Sequence, residues 1–380
     1  MRPVSATMYA LQIPFTEAFK HSTKERTFCD SVVIRVQDET GTEGFGEGVP
    51  RPYVTGETAD LMIEHLARDL WPAVVDREVP TLEDEAGLGA IDAFIPQREI
   101  SGVLSDNASR AALELALLDC TLHRQHMSAA QILRPCRQRV IYSGVITAGS
   151  LEKTRQHARQ MKLVGLKHIK VKVGMEDEVA RLRVIREVLG PDVSLRIDAN
   201  GAWTLDQAIT ILNALVPFNI AAVEQPLARG PVANLKRLKQ ATPIPLMADE
   251  SLVTLADAGE LIRQQAVDYF NIRVSKCGGL ARSLALAGRA ASAGIRVQVG
   301  SQVGETAILS AAGRHLAAAL AEVAFVEGSY GALLLTEDVS ADGVRFGHRG
   351  EAPILTGPGL GIRVLEDRLR KYARKVIELS

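Results

Sequence analysis

From about residue 140 onward, short β-branched apolar runs alternate with longer segments whose apolar residues recur at helical spacing. This alternation is typical of repeated β–α units, whose strands form a parallel sheet. Eight runs predict strands: VIYSG near 140, HIKVKV at 168–173, SLRID at 194–198, AAVE at 221–224, PLMAD at 245–249, DYFNIR at 268–273, IRVQV at 295–299 and VAFVE at 323–327. The pattern therefore predicts an α/β fold, a TIM-type (β/α) barrel of seven or eight units.

The first part of the chain has a different pattern. The run SVVIRV within 27–37, followed by GTEGFGEG at 41–48, predicts a β-hairpin. Helical patterns follow at 58–70 and 107–125, and Ser105 and Asp106 before the second are good N-cap residues. These elements predict an N-terminal α+β domain that caps the barrel.

With 380 residues, the chain is longer than a single hydrophobic core usually supports. We expect an N-terminal α+β capping domain over 1–132 and the barrel over 133–345. The segment 346–380 ends in the basic amphipathic stretch DRLRKYARKVIEL, which we expect to pack back on the capping domain and complete it.

The charge balance excludes several classes of partner. The 44 basic and 45 acidic residues nearly cancel, and no long run of one sign occurs, so neither nucleic acid nor a membrane surface is an expected partner. No stretch of about 18 apolar residues and no signal sequence is found, and the four cysteines are scattered without metal-binding spacing. We expect a cytoplasmic protein that acts on a small molecule.

The residues suited to catalysis fall at the predicted strand ends. Lys172, Asp198, Glu224 and Asp249 follow one another at intervals of 26, 26 and 25 residues, about one β–α unit each. Side chains at the carboxyl ends of barrel strands face one cavity, so three carboxylates should converge beside an amine. Such a set favours Mg²⁺, with Mn²⁺ as the alternative ion. The competing interpretation is that each acid caps a helix or pairs with a loop lysine.

Lys170 and Lys172 lie two residues apart in a predicted strand and therefore point to the same face. Their mutual repulsion and their burial should lower the pKa of one of them towards the range of a general base. We assign Lys172 as the base and expect Lys170 to hold a substrate carboxylate. An exposed strand with two solvated lysines is the simpler alternative.

The motifs KVKVG, RIDANGAW, VEQP, MADES and NIRVSKCGGL, in this order, resemble the muconate lactonizing enzyme subgroup of the enolase superfamily, the group related to mandelate racemase. The resemblance also includes GEGVPRPYVTGET in the capping domain and implies that the metal ligands are Asp198, Glu224 and Asp249. It further implies that Lys170 and Lys172 are the catalytic pair and that the protein is a homo-oligomer, a dimer or an octamer.

The chain departs from that subgroup on the sixth strand, which in the family usually has the pattern Asn-x-Lys-x-x-Lys-x-Gly-Gly. Arg273 stands in place of the first lysine, and an arginine stays protonated at ordinary pH. Lys276 is retained, and we expect it on the opposite face or in the following loop, where a structural role is the favoured interpretation and replacement of the missing base the alternative.

Racemisation needs an acid/base on each face of a planar enolate, so Arg273 favours a one-base reaction. We therefore expect removal of the proton α to a substrate carboxylate, a metal-stabilised enolate, and then cycloisomerisation or elimination. The alternatives are a racemase or epimerase of N-acyl amino acids, dipeptides or proline betaines, or a non-catalytic metal-binding protein. A Schiff-base aldolase using Lys172 is a further class, but it would not need three carboxylates.

Several residues are candidates to contact substrate. Glu327, in FVEGSYG, stands where dipeptide-epimerising relatives have an Asp-x-Asp pair, and it is a candidate partner for a cationic substrate nitrogen. The other candidates are residues near the ligands or at the barrel mouth, namely Asn200, Glu250, Ser301, Phe19 and Tyr53. The glycines in GFGEG lack the full GxGxxG pattern and precede no helix, so a dinucleotide site is excluded.

Overall fold

The computed structural model describes residues 1–21, 24–97, 102–147, 149–175 and 177–380, without the side chains of 18–21, 24 and 25. The capping domain contains a four-stranded antiparallel sheet in the order β16-β1-β4-β5. Its strands are β1 (Pro3–Leu11), β4 (Val32–Asp38), β5 (Glu43–Gly48) and β16 (Ala373–Leu379). A separate hairpin is formed by β2 (Pro14–His21) and β3 (Lys24–Phe28).

The helices of this domain are α1 (Ala59–His65), α2 (Trp71–Val74), α3 (Glu85–Phe94), α4 (Asn107–Arg124) and α5 (Ala129–Leu133). A π-helical turn, Leu66–Leu70, joins α1 to α2, so the helix predicted over 58–70 is interrupted and extended. Thr58 caps α1 by accepting a hydrogen bond from the N–H of Leu61. Almost all of α4 is buried, which explains its Ala- and Leu-rich sequence.

Strand β5 packs against α4 at unusually short range because every second residue of the strand is glycine. A Cβ atom at Gly46 would lie 1.9 Å from the carbonyl oxygen of Ala112 and 2.5 Å from the backbone nitrogen of Ala116. Gly44 and Gly48 approach the helix backbone in the same way. The glycines of GFGEG therefore serve helix packing.

The barrel is an eight-stranded parallel sheet whose strand order follows the chain. Its strands are β7 (Gly144–Ile146), β8 (His168–Lys172), β9 (Ser194–Asp198), β10 (Ile220–Glu224), β11 (Leu246–Ala248), β12 (Tyr269–Ile272), β13 (Arg296–Val299) and β14 (Phe325–Val326). The sheet curls until its two edges meet. The contact between them is a hydrogen bond from the N–H of Ser143, just before β7, to the carbonyl oxygen of Val326 in β14.

Helices cover the outside of the sheet and follow the strands in alternation. They are α6 (Leu151–Val164), α7 (Glu178–Leu189), α8 (Leu205–Leu215), α9 (Val232–Ala241), α10 (Leu255–Gln264), α11 (Val274–Cys277), α12 (Leu280–Ser292), α13 (Ala307–Ala319) and α14 (Gly331–Leu334). Short 3₁₀ turns occur at Val216–Phe218 and His348–Gly350. The prediction of a (β/α) barrel is confirmed.

One element prediction was wrong in detail. The first barrel strand was expected over VIYSG near 140, but β6 (Arg139–Ile141) instead pairs with β15 (Glu351–Pro353), and the barrel begins at β7. The C-terminal stretch DRLRKYARKVIEL divides into a helix, α15 (Glu366–Tyr372), and strand β16, which pairs with β1 of the N-terminal sheet.

Two buried carboxylates connect the capping domain to the barrel. Glu47 in β5 accepts hydrogen bonds from the backbone N–H groups of Thr306 and Leu309 at the start of α13. Glu114 in α4 accepts from the N–H of Leu280 at 2.6 Å, at the start of α12. Unpaired N–H groups and the helix dipole both favour an anion at a helix N-terminus. These contacts hold the capping domain over the carboxyl end of the barrel strands.

In the part of the chain that the structure describes, we find no helix that combines the length and the apolar character needed to cross a bilayer.

Candidate active site

A cavity of about 1030 Å³ opens at the carboxyl end of the barrel strands. Among the residues that line it are Lys170, Lys172, Arg273, Ser301 and Glu327. Five of the residues predicted from the sequence therefore share one cavity.

The three predicted metal ligands lie at or just beyond the ends of three adjacent strands, with Asp249 two residues past Met247, the register partner of Glu224. Asp198 and Glu224 are the last residues of β9 and β10 and are paired in register, and Asp249 directly follows β11. All three side chains are fully buried. Buried carboxylates require charged or hydrogen-bonding partners, and cationic side chains supply them here.

Lys170 lies among three carboxylates. Its Nζ is 2.7 Å from Glu327 Oε2, 3.3 Å from Glu224 Oε1 and 3.3 Å from Asp198 Oδ2. Burial by itself would lower the pKa of Lys170, but the neighbouring carboxylates, Glu224 foremost, outweigh it and raise that pKa. The carboxylates around Lys170 therefore keep it charged, so of the two lysines it is not the one whose pKa falls.

Lys172 has fewer partners and faces the cavity more openly. Its Nζ donates to Asp198 Oδ2 at 2.6 Å and to Asn200 Oδ1 at 2.8 Å. Unlike Lys170, it therefore contacts a single carboxylate. It is the better placed of the two lysines to exchange a proton with a ligand in the cavity.

Arg273 immediately follows β12 and reaches across two of the predicted metal ligands. Its Nη2 donates to Asp249 Oδ2 and, at 3.2 Å, to Glu224 Oε1. Burial opposes its charge, yet Asp249 and Glu224 raise the pKa of Arg273 above its ordinary value. It is a permanent cation and cannot act as a proton acceptor.

Lys276 is held away from the cavity by buried acceptors. It belongs to the short helix α11, and its Nζ donates to Asp249 Oδ1 at 2.8 Å and to two backbone carbonyl oxygens. Its side chain is buried and is not among the residues that line the cavity. Lys276 lies neither on an opposite strand face nor in a loop. Since all three of its N–H donors have acceptors, its contacts fit a structural role.

Glu327 is held by two buried cations. Its Oε2 accepts from Lys170, and its Oε1 accepts from Arg196 Nη2 at 2.8 Å. Burial would raise the pKa of Glu327, but Lys170 and Arg196 lower it overall. Both oxygens thus already have a cationic partner, and Glu327 is poorly placed to pair with a substrate nitrogen.

The sequence analysis missed three polar residues inside the barrel. Arg196 lies two residues before Asp198 on the same strand, and it stacks on Phe325 with the guanidinium carbon 4.1 Å from the ring centroid. The amides of Asn271 and Gln298 each donate to Glu224 at 2.9 Å. Side chains two residues apart in a strand point to the same face. This rule, which placed Lys170 and Lys172 together, would also have placed Arg196 on the same face as Asp198.

The neighbours of the ligands form a small network of their own. Asn200 links Lys172 to Glu250, donating from its Nδ2 to Glu250 Oε1 at 3.2 Å. Burial, and then repulsion from Asp249, raise the pKa of Glu250 to about 8, and among the described residues its Oε2 has no hydrogen-bond partner. Asn200 and Glu250 are thus placed beside Lys172 rather than along the cavity wall, whereas Ser301 lines the cavity.

Two candidates predicted from the sequence remain. The side chain of Phe19 lies outside the described residues. Tyr53 is 42% exposed and is not among the described residues that line the cavity.

The carboxylate oxygens of Asp198, Glu224 and Asp249 have the chemistry that a divalent cation needs, but in this structure they contact cationic side chains. Within the described ranges, no three His, Cys, Asp or Glu side chains are arranged as a set that could hold a metal ion. Two positive groups nevertheless each bridge two of the three predicted ligands: Lys170 between Asp198 and Glu224, and Arg273 between Glu224 and Asp249. Buried carboxylate oxygens that already converge on shared cations are the hard donors that Mg²⁺ prefers.

The whole cluster carries a small positive charge. The acidic side chains in the described part of the cluster are Asp198, Glu224, Asp249, Glu250 and Glu327, and burial raises the pKa of Glu224 to about 7 and that of Glu250 to about 8, so not all five are ionised at neutral pH. The cations are Lys170, Lys172, Arg196, Arg273 and Lys276. An excess of positive charge around a cavity favours an anionic ligand such as a carboxylate.

A family model described as "Enolase C-terminal domain-like" matches residues 153–368. N-succinyl-L-Arg/Lys racemase of Bacillus cereus is 28% identical over 98% of both chains. L-Ala-D/L-Glu epimerase of Bacillus subtilis is 30% identical over 93% of this chain and 94% of that protein. Muconate cycloisomerase 1 of Rhodococcus opacus is 28% identical over 98% of both chains.

Solved structures agree with these relatives. The crystal structure of N-succinyl Arg/Lys racemase from Bacillus cereus superposes with a TM-score of 0.90 at 27% identity and covers 100% of both chains. The dipeptide epimerase from Cytophaga hutchinsonii, complexed with Mg and the dipeptide D-Ala-L-Val, gives a TM-score of 0.88 at 28% identity and also covers 100% of both chains.

Proposed function

Since the chain belongs to the enolase superfamily, in the muconate lactonizing enzyme subgroup, we propose that it removes the proton α to the carboxylate of a small substrate with Lys172 as the base. The substrate is an N-acyl amino acid or a related carboxylate, and the proton is handled on one face of the substrate. In the completing step the enolate electrons form a Cα–Cβ double bond as the bond from Cβ to a leaving group breaks, or, in a cycloisomerisation, the C–O bond of a lactone ring, and Lys172 returns the abstracted proton to the group released. The observation that carries this proposal is that the cavity wall offers one lysine able to exchange a proton, Lys172, together with one permanently charged side chain, Arg273.

Lys172 serves as the base because it is the less constrained lysine. Its Nζ contacts one carboxylate and one amide oxygen, whereas Lys170 is held by three carboxylates. Lys170 therefore stays charged and orients the substrate carboxylate. Asn200 fixes Lys172 through its Oδ1 and keeps the ammonium group directed to one side.

Arg273 stabilises negative charge on the substrate without taking a proton. Its guanidinium lines the same cavity as Lys172, at the sixth-strand position where the subgroup usually has a lysine, and it stays protonated. A fixed cation beside a developing enolate lowers the activation free energy for forming that enolate. This electrostatic effect is worth about 3 kcal/mol for a well-placed group. This supports chemistry on one face.

The asymmetric site would hold Mg²⁺ on Asp198, Glu224 and Asp249, as the Mg-bound dipeptide epimerase suggests by similarity. When bound, the ion would supply positive charge that stabilises an enolate.

The contacts of Glu327 support an N-acylated substrate over one with a free ammonium group. Both of its carboxylate oxygens are paired with buried cations, and the cluster carries an excess of positive charge. A free ammonium group would therefore meet no unpaired anion at Glu327. An acylated nitrogen has no charge and avoids this mismatch, which agrees with the N-succinyl substrate named for the Bacillus cereus relative.

The test is a deuterium-exchange assay in D₂O with Mg²⁺ across N-succinyl and N-acetyl amino acids, dipeptides, proline betaines and muconates. We expect exchange at the α-carbon of an acylated substrate, with retained configuration or with loss of a group or ring closure. Lys172→Met should abolish exchange, and Lys172→Arg, which keeps the charge but not the base, should abolish it equally. Full exchange in either variant would refute the assignment of the base.

Epimerisation is the second candidate, and the similarity to a racemase and to dipeptide epimerases favours it. It would require an acid/base other than Arg273 on the second face. Exchange accompanied by inverted product would establish this candidate and refute the one-face proposal. Absence of exchange across the whole panel and in the presence of Mg²⁺ would contradict both.

A further inference from the structure

Arg273 occupies the position between two carboxylates that a divalent cation would have to share. Its Nη2 contacts Asp249 Oδ2 and Glu224 Oε1, so one nitrogen bridges two of the three proposed ligands. Its Nε has no partner in the described structure. The guanidinium is thus held at the site almost entirely through the carboxylates that metal binding would need.

The charge of the cluster makes simultaneous occupancy unfavourable. Among the described residues the cluster already has five basic side chains against five acidic ones. Adding a dication to a buried cluster with no negative excess leaves positive charge uncompensated in a site shielded from water. A lysine can relieve this excess by losing its proton, whereas Arg273 can do so only by withdrawing from the ligands.

Among the described cations that contact the three ligands, Arg273 is the most exposed, and Lys172, the next at 9%, contacts only Asp198. The side chains of Lys276, Arg196 and Lys170 are 1%, 0% and 4% exposed. Lys276 is also fixed by two carbonyl oxygens, and Lys170 by Glu327. Arg273 is 12% exposed and lines the cavity, so a rotation about its side-chain bonds takes the guanidinium into open space.

We propose that Arg273 is an internal competitor for the metal: it closes the carboxylate site in the metal-free protein and swings into the cavity when a divalent cation binds. This rests on the metal site of the proposed function. After the swing, the guanidinium lies in the cavity without its carboxylate partners, and a substrate carboxylate provides a new one. Metal and anionic substrate therefore bind cooperatively, each increasing the affinity of the other by the same factor.

The experiment measures Mn²⁺ binding by electron paramagnetic resonance and Mg²⁺ binding by calorimetry, on the full chain without turnover. Three proteins are compared: wild type, Arg273→Met and Arg273→Lys. Arg273→Met removes the competitor with a side chain of similar length, and we expect its metal affinity to rise at least tenfold. Arg273→Lys keeps the charge but cannot offer the planar fork of an arginine, so its affinity should lie between the other two.

The carboxylate coupling is measured with N-acetylglycine as the probe. In wild type, a saturating concentration should tighten Mn²⁺ binding several-fold, and in Arg273→Met this increase should be much smaller. Thermal melts confirm that each variant is folded. A crystal structure with Mn²⁺ should place the anomalous peak between the three carboxylates and the guanidinium away from Asp249.

Three results would overturn the inference. Equal metal affinity in all three proteins would show that Arg273 does not compete. Wild-type metal affinity in Arg273→Lys, together with tighter metal binding in Arg273→Met, would show that only the positive charge at position 273 matters and not the guanidinium group. A bound metal with Arg273 still contacting Asp249 and Glu224 would exclude the swing. Absence of metal binding in every folded protein would instead refute the metal site itself, and with it the proposed function.

Discussion

Substitution of Gly46 by alanine is the sharpest test of how the capping domain is held together. Gly46 lies in the middle of β5, where the added Cβ would meet the carbonyl oxygen of Ala112 at 1.9 Å and the backbone nitrogen of Ala116 at 2.5 Å. Real Cβ atoms essentially never come within 3.0 Å of such atoms. Both obstacles are helix backbone, so no side-chain rotation relieves them.

The size of the effect follows from the displacement required. To restore ordinary contact, β5 and α4 would have to separate by more than 1 Å, roughly the deficit of the 1.9 Å contact. Overpacking of a well-packed core costs about 1–3 kcal/mol, and a backbone obstacle belongs at the upper end. We expect a loss of about 3 kcal/mol in the free energy of unfolding, or about 4 °C in Tm for a chain of this length.

The assay is urea unfolding followed by circular dichroism, with Gly288→Ala as the matched control. Gly288 lies in α12, is exposed, and has no atom within 4 Å of the position of an added Cβ. The control should therefore be neutral or stabilise the protein by up to about 1 kcal/mol, because alanine favours helix. If Gly46→Ala is within 1 kcal/mol of wild type, the close approach of β5 to α4 does not exist as described.

Three further perturbations test the site and its surroundings. Asp249→Asn should abolish Mg²⁺ binding and activity together, and full activity measured beside calorimetry would contradict its assignment as a ligand. Glu327→Gln leaves two buried cations without their anion and should lower the free energy of unfolding by about 3 kcal/mol in urea titrations, whereas a change below about 1 kcal/mol would refute that pairing. For His65, burial lowers the pKa but its two aspartate partners raise it above 6.5 overall. Its stabilising contribution is therefore complete below that pH and lost as pH rises through the folded value, so wild type should lose more stability than His65→Gln between about pH 6 and about pH 9. Parallel curves for the two proteins would contradict this.

The sequence predicted the parts of the molecule that repeat. A parallel sheet imposes one strand and one helix per unit, so the regular spacing of Asp198, Glu224 and Asp249 was enough to place them at the ends of three adjacent strands, although Asp249 lies two residues beyond the register partner of Glu224. The barrel and the membership in the enolase superfamily are confirmed. The first strand was misplaced because 139–141 has the same β-branched character as a barrel strand but pairs with the C-terminal segment instead.

Contacts between distant parts of the chain were beyond the reach of the sequence. Nothing in SKCGG indicates that Lys276 would turn back to Asp249, since this depends on the start of the short helix α11. The partners of Glu327, Lys170 and Arg196, come from two other strands, so the local sequence FVEGSYG could not predict these ion pairs. The glycines of β5 are required by the close approach of α4, which lies about 60 residues further along the chain, and the local sequence does not show this contact.

The charges inside the barrel explain why a single substitution on the sixth strand has such broad consequences. A lysine at position 273 would be able to lose its proton and so relieve the cluster of one positive charge, whereas an arginine keeps that charge at any ordinary pH. The arginine of this chain can only compensate by moving, because its partners Asp249 and Glu224 are fixed at strand ends. In the proposed mechanism, the same replacement that leaves one face of the substrate without a base also ties metal binding to the arrival of an anionic ligand.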